Sequence, residues 1–170
     1  MIMLTLYDLV YFGKPKLSII EDMNKLELTV KKQTPADYKE LTAEWGTSVK
    51  DTHHFLSESY IYFLKPLVRN EYLKNVDLFC IRDAKNNIAA FMGLLNKKIE
   101  MLFVRPDMRG KGFGKKLLDY AISLKGVNKV DVNEQNRQAV DFYRRYGFKP
   151  VGRDPVDAMG KPYPILHMSL

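Results

Sequence analysis

Between Arg105 and Lys116 the chain reads Arg-Pro-Asp-Met-Arg-Gly-Lys-Gly-Phe-Gly-Lys-Lys. Glycines at 110, 112 and 114 let a backbone approach a ligand closely, because no Cβ stands in the way. Behind them Phe113, Leu117, Leu118, Ala121 and Ile122 recur at helical spacing, so the loop should end at the N-terminus of a helix. Free N–H groups and the helix dipole favour an anion there. Five basic residues against one acid in these twelve positions add charge of the right sign. A strand, a glycine loop and a helix start together make a phosphate site. A Walker A loop would need Ser or Thr after Lys115, where Lys116 stands, and a Rossmann fingerprint would need two residues where Phe113 is alone. The competing reading is a tight turn with a solvated basic rim.

Several elements must position that loop. Asp77 to Arg82 and Ile88 to Leu94 read as two strands, with Asn86-Asn87 tolerating the positive φ of a hairpin. Asn96-Lys97 makes a second turn, into a strand from Ile99 to Val104 that feeds the glycine loop. The helix runs from about Gly112 to Lys125. Lys129 to Val132 is a short strand, Asn136 caps a helix carrying Ala139, Val140, Phe142 and Tyr143, and Gly147 ends it. Val151 to Arg153 and Ile165 to Met168 form a last pair of strands. Upstream, Thr34-Pro35-Ala36-Asp37 is a helix start with proline at the first position, and that helix should run through Trp45. A second begins near Ser57 and passes Tyr60, Phe63, Leu64 and Leu67, with Pro66 expected to kink or split it. The order is that of one mixed α/β or α+β layer.

Before this pattern, Leu26, Leu28 and Val30 alternate with polar residues as a half-buried strand does. The first 22 residues show no period and are expected to be an appendage, with Met23 a candidate start of the working domain, 23–170.

The 170 residues suit one domain, and 46% hydrophobic with 12% aromatic content excludes a disordered chain. A single cysteine excludes a disulfide framework and a zinc cluster of several thiolates. Cys80, inside Leu78-Phe79-Cys80-Ile81, is expected to be a buried thiol. No apolar run reaches the ~18 residues of a membrane span, and Met1 to Asp8 lacks a basic leader. The expectation is a cytoplasmic protein with no membrane partner. The formal charge of +7 calls for an anionic partner, and residues 105–116 supply a net +4 of it.

Arg109-Gly110-Lys111-Gly112-Phe113-Gly114 resembles the coenzyme A pyrophosphate loop of the GNAT N-acetyltransferases, Arg/Gln-x-x-Gly-x-Gly/Ala. Val130-Asp131-Val132-Asn133, Asn136, Ala139, Tyr143 and Gly147-Phe148 resemble the second half of the family pattern. The likeness covers about 23–170. It implies a GNAT fold: one mixed, largely antiparallel sheet of about seven strands flanked by about four helices. It implies transfer of the acetyl group of acetyl-CoA to a primary amine by direct attack, with no metal. Holding donor and acceptor together removes most of the entropic barrier.

The resemblance also implies site residues. The backbone of Arg109, Gly110, Lys111, Gly112, Phe113, Gly114 and Lys115 should hold the pyrophosphate. Leu102, Phe103 and Val104 should present backbone groups to the pantetheine arm, one N–H near Phe103 or Val104 steadying the oxyanion. Asn136 should cap its helix and meet the pantetheine. Tyr143 is the expected general acid for the leaving thiolate, Tyr146 being the better core tyrosine. For the base, Glu100 ranks first, His53 second and Asp131 third, with His54 beside them. The acceptor, a protein lysine, a protein N-terminus or a small amine, stays open, as does a monomer or homodimer. Alternatives are a CoA-binding sensor without turnover and a basic nucleic-acid-binding module, the latter disfavoured because the charge sits in a glycine loop and not along an aromatic face.

Overall fold

A computed structural model describes residues 29–170. The expected strand start at Leu26, the appendage 1–22 and the start at Met23 lie outside the described residues.

Seven strands form one sheet: β1 (Lys31–Lys32), β2 (Asp77–Arg82), β3 (Ile88–Leu95), β4 (Lys98–Val104), β5 (Lys129–Asn133), β6 (Lys149–Asp154) and β7 (Ile165–Ser169). Their order is β1-β2-β3-β4-β5-β7-β6. Every pairing is antiparallel except β4 with β5, which is parallel. Among the described residues four helices flank the sheet: α1 (Tyr38–Thr52), α2 (Glu58–Asn70), α3 (Phe113–Lys125) and α4 (Arg137–Arg145).

Side-chain alternation assigns the two faces. Phe79, Ile81, Ala90 and Met92 pack with Leu117, Leu118 and Ala121 of α3 and with Val140 and Tyr143 of α4. Leu78, Cys80 and Phe91 point the other way, onto Leu41, Trp45 and Val49 of α1 and Ile61 and Val68 of α2. Leu41, Trp45 and Val49 recur every four residues, one stripe down α1. Cys80 is fully buried, as expected, and burial pushes its thiol up to about 11.

The turns follow from residue type. Asn86 adopts φ 65°, and Asn96 and Lys97 adopt 49° and 61°, values that asparagine tolerates and that the tight hairpins require. Thr34 donates its backbone N–H and hydroxyl to the Asp37 carboxylate at 2.9 and 3.1 Å. A 3-10 turn over Pro35–Asp37 then leads into α1, which runs seven residues past Trp45.

Pro66 does not split α2, contrary to one of the two outcomes expected of it. The helix continues to Asn70. The proline removes the donor that would reach the Tyr62 carbonyl, on a turn where Tyr62 is 82% exposed.

Within β4 the register slips once. Gly93 faces Met101 and Leu94 faces Ile99, so Glu100 is the extra residue of a β-bulge. Across the sheet, β4 pairs with β5 only at Lys98–Lys129 and Ile99–Val130. Beyond the bulge the two parallel strands part, while β5 stays paired to β7 along its whole length.

Candidate active site

The gap between β4 and β5 opens into a cavity of about 630 Å³. Its walls are Leu102 to Val104 on one strand and Val130 to Asn133 on the other, and the 109–115 loop closes one end. Arg105 donates its N–H to the Ala89 carbonyl at 2.9 Å. Alternation along the antiparallel ladder therefore turns Phe103 toward β3, and the N–H groups of Leu102 and Val104 toward the cavity. The Phe103 ring meanwhile lies 5.4 Å from that of Phe91. Of the two N–H groups expected near the oxyanion, Val104 has the right direction and Phe103 does not.

At the loop, Gly110 and Gly112 take φ 73° and 83°, a left-handed backbone that other L-residues resist. Gly112 is the N-cap of α3 and no side chain caps it. The first intrahelical bond runs from Lys116 N–H to the Gly112 carbonyl at 3.0 Å. The N–H groups before it have no intrahelical acceptor and point out of the helix end. That arrangement fits a pyrophosphate.

The loop cations are less free than their number suggests. Arg109 pairs with Asp51 at the end of α1 and donates from Nε to the Val104 carbonyl at 3.3 Å. Lys115 pairs with Asp119 at 2.8 Å. Among the described residues Lys111 and Lys116 have no ion-pair partner, and the Lys116 ammonium stands over the Phe113 ring at 5.8 Å. Arg109 thus ties the loop to α1, and the backbone is left as the main anion-binding surface.

Tyr143 borders the same cavity and is 5% exposed. Burial pushes its phenol well above the ordinary value, so it holds its proton at every physiological pH. No side chain or backbone group among the described residues bonds its hydroxyl, and that oxygen is not sealed from the cavity. Tyr146 is the partner that meets Asp119, at 3.2 Å. Asn136 accepts from Ala139 N–H at 3.1 Å, the expected cap, and also lines the cavity.

Three candidate bases occupy different settings. The Glu100 carboxylate pairs with the Lys98 ammonium at 2.9 Å. Asp131 pairs with the same ammonium at 2.6 Å and with His167 Nδ1 at 2.7 Å. Burial alone would raise the Asp131 carboxyl, but the bonds from Lys98 and His167 outweigh it and hold it below the usual carboxylate range. His167 in turn reaches Asp154 at 3.0 Å through Nε2, and its two carboxylate partners raise its pKa. His53 follows the last residue of α1 and lines the cavity. Burial, helped by Arg109 and His54, pushes its imidazole down to about 4, leaving it neutral near pH 7. His54 is exposed.

Comparison with known proteins decides the family. A family model described as an acetyltransferase (GNAT) domain matches residues 52–163. The chain belongs to the GNAT acetyltransferase family. This GNAT enzyme is 39% identical over 142 residues to the peptidyl-lysine N-acetyltransferase YjaB of Escherichia coli (strain K12), covering 84% of this chain and 96% of that protein. YjaB of Salmonella typhimurium is 38% identical over 141 residues, with 83% and 97% covered. The solution structure of apo YjaB from E. coli superposes with a TM-score of 0.76 over 83% of this chain and 95% of that one, at 39% identity. The coenzyme A complex of PaiA N-acetyltransferase from Thermoplasma acidophilum has the same fold at 21% identity, with a TM-score of 0.65 over 83% of this chain and 98% of that one.

The protein is therefore an N-acetyltransferase whose acetyl donor, acetyl-CoA, is a substrate. Among the described residues no group of three or more His, Cys, Asp or Glu is placed to hold a metal ion. No described helix is long and apolar enough to cross a membrane.

Around the GNAT cleft stand residues that motif reading did not assign. Ser48 is buried and donates to the Val104 carbonyl at 3.2 Å. Thr52 lies one turn later, and Lys98 joins Glu100 to Asp131. Beside His53, whose ring lies 5.3 Å from that of Phe55, Tyr163 stacks on Tyr60 at 5.5 Å and meets Phe55 at 5.9 Å. Tyr60 donates to Asp157 at 3.0 Å. These contacts join the loop after α1 to the loop between β6 and β7. Only the spacing of Ser48 and Thr52 at i and i+4 was visible in advance.

Proposed function

We propose that the protein acetylates lysine side chains of proteins. The observation that carries the reading is the parted β4–β5 pair. It leaves the backbone N–H groups of Leu102 and Val104 without a strand partner, beside the uncapped N-terminus of α3 and the Tyr143 hydroxyl. Two YjaB proteins bearing the name peptidyl-lysine N-acetyltransferase support the acceptor class. Alkyl amines are also a chemical match for the aromatic group Phe55, Tyr60 and Tyr163, which adjoins the cavity-lining His53 through the Phe55 ring at 5.3 Å, since aromatic faces attract a cation and accommodate a methylene chain.

In this reading the Gly110–Lys115 backbone binds the pyrophosphate. Leu102 and Val104 pair with the pantetheine arm as a missing strand would. The Val104 N–H faces the oxygen that gains charge as the amine attacks. The neutral amine nitrogen forms a bond to the acetyl carbon and loses a proton, the carbon–sulfur bond breaks, and Tyr143 gives its proton to the departing sulfur and regains one from solvent. A neutral phenol serves better here than an ionised one, and its raised pKa keeps it neutral. Asn136 holds the start of α4, and through it the position of Tyr143.

A panel of amines, including lysine peptides, peptides with free N-termini and spermidine, assayed by release of free CoA, tests the reading. Preferential turnover of lysine peptides supports it. Turnover of small amines alone reassigns the acceptor, and CoA binding without turnover on any amine supports a sensor.

A further inference from the structure

The end of α1 carries a hydrogen-bond chain that determines which nitrogen of His53 is basic. Thr52 Oγ1 lies 2.8 Å from the Ser48 carbonyl and 2.8 Å from His53 Nδ1. A carbonyl cannot donate, so the single hydroxyl proton of Thr52 goes to Ser48. Only lone pairs of the hydroxyl oxygen then face His53. A lone pair on Nδ1 would meet them without a proton between, so Nδ1 must be the N–H. The lone pair of the neutral ring is left on Nε2.

That nitrogen is available. Among the described residues no side chain hydrogen-bonds it, the ring's other polar neighbour being the Val49 backbone carbonyl, which accepts and so also favours an N–H on the ring. Nε2 is not among the sealed polar atoms, and its residue lines the acetyl-transfer cavity. The two carboxylates that compete for the same duty are both held by one ammonium, that of Lys98. We propose that Thr52 is a positioning residue that locks His53 in its Nδ1–H tautomer, and that Nε2 takes the proton released from the acceptor nitrogen. This rests on the acetyltransferase reading of the cavity and adds the proton acceptor to it.

The timing follows from acidity. An alkylammonium has a pKa of about 10.4, so transfer straight from it to a ring near 4 is disfavoured by about six orders of magnitude. Nε2 therefore acts after the carbon–nitrogen bond has formed, when the nitrogen's proton is far more acidic. The ammonium leaves its first proton in solvent and attacks as the neutral amine. After the bond forms the nitrogen loses a second proton to Nε2, the sulfur gains one from Tyr143, and solvent takes the proton from Nε2 and restores that of Tyr143.

The test uses the full chain, labelled with ¹⁵N histidine. The imidazole nitrogens report the tautomer directly, before any assay of turnover. In the wild type, His53 should show Nδ1 protonated and Nε2 bare. Thr52→Val removes the acceptor with nearly the same shape and should shift the ring toward Nε2–H. It should also lower kcat about tenfold or more at unchanged acetyl-CoA affinity. Thr52→Ser should restore both the spectrum and the rate. A wild-type ring protonated on Nε2 overturns the proposal even if Thr52→Val fails to fold. So does a folded Thr52→Val enzyme with wild-type kcat. Failure of the wild type to acetylate any amine would instead remove the acetyltransferase reading and leave the tautomer result standing.

Discussion

Aspartate and asparagine at position 112 separate charge from shape at the phosphate loop. Gly112 has φ 83°, and a Cβ built there meets nothing within 4 Å. A substitution therefore costs backbone strain alone, about 1–2 kcal/mol for most residues and least for Asn and Asp. The two variants share that cost and differ by one charge. At a helix N-terminus a carboxylate stabilises the fold by about 0.3–1 kcal/mol, so Gly112→Asp should melt at or above the temperature of Gly112→Asn. Toward a pyrophosphate the sign reverses. At about 6 Å and an effective dielectric of about 20–80, each pair of like charges costs roughly 0.7–2.8 kcal/mol. Two phosphate charges make the penalty at least about 1.4 kcal/mol, a tenfold loss of affinity. Titration calorimetry with acetyl-CoA at low salt, beside thermal melts of both variants, reads the two signs. Equal dissociation constants for Asp and Asn at 112 would refute the placement of the pyrophosphate at this helix end.

Other consequences are read as simply. Tyr143→Phe keeps the packing and removes a hydroxyl with no partner among the described residues, so its stability should stay within about 0.5 kcal/mol of wild type; a kcat about a hundredfold lower with retained acetyl-CoA binding is expected, and undiminished kcat would remove the acid role. His167 is raised in the fold by Asp131 and Asp154, so its stabilisation is complete below the unfolded value of about 6.5 and is lost as pH rises through the folded one. Urea midpoints of wild type should therefore fall more between pH 6 and pH 8.5 than those of His167→Gln, and parallel slopes would contradict the bridge. Ser57 accepts from Tyr60 N–H at 3.2 Å as the N-cap of α2, and Ser57→Ala should lower stability by about 1 kcal/mol in denaturant melts. Cys80 is fully buried with its thiol near 11, so native protein should resist alkylation that proceeds at once in urea.

What the sequence disclosed depended on whether the signal was local. Arg109 to Gly114 and Asn136 to Gly147 are short runs whose glycines, caps and apolar spacing state their own geometry, so the loop, both helices and Tyr143 were legible. The mixed, largely antiparallel sheet of about seven strands followed from the family resemblance, whereas the placing of β7 between β5 and β6 did not. Partners brought together by register were not legible. Lys98 meets Asp131 because parallel pairing at Ile99 and Val130 puts them side by side, and His167 meets Asp131 across an antiparallel ladder. The bulge at Glu100 shows in no composition rule. The ionic role expected for Arg109 missed Asp51, which lies 58 positions earlier and arrives through the packing of α1. Pro66 leaves α2 unsplit, because one missing donor does not outweigh the packing of Ile61 and Val68 on either side of it.

Whether the β4–β5 cleft is a working acetyl-transfer site for lysine is tested most directly by mass spectrometry of a lysine-bearing peptide incubated with acetyl-CoA and the full chain. Acetyl-lysine should form in step with free CoA, at a rate that Tyr143→Phe lowers about a hundredfold. Tight acetyl-CoA binding with no acetyl-lysine, or equal yields from the wild type and Tyr143→Phe, would contradict it.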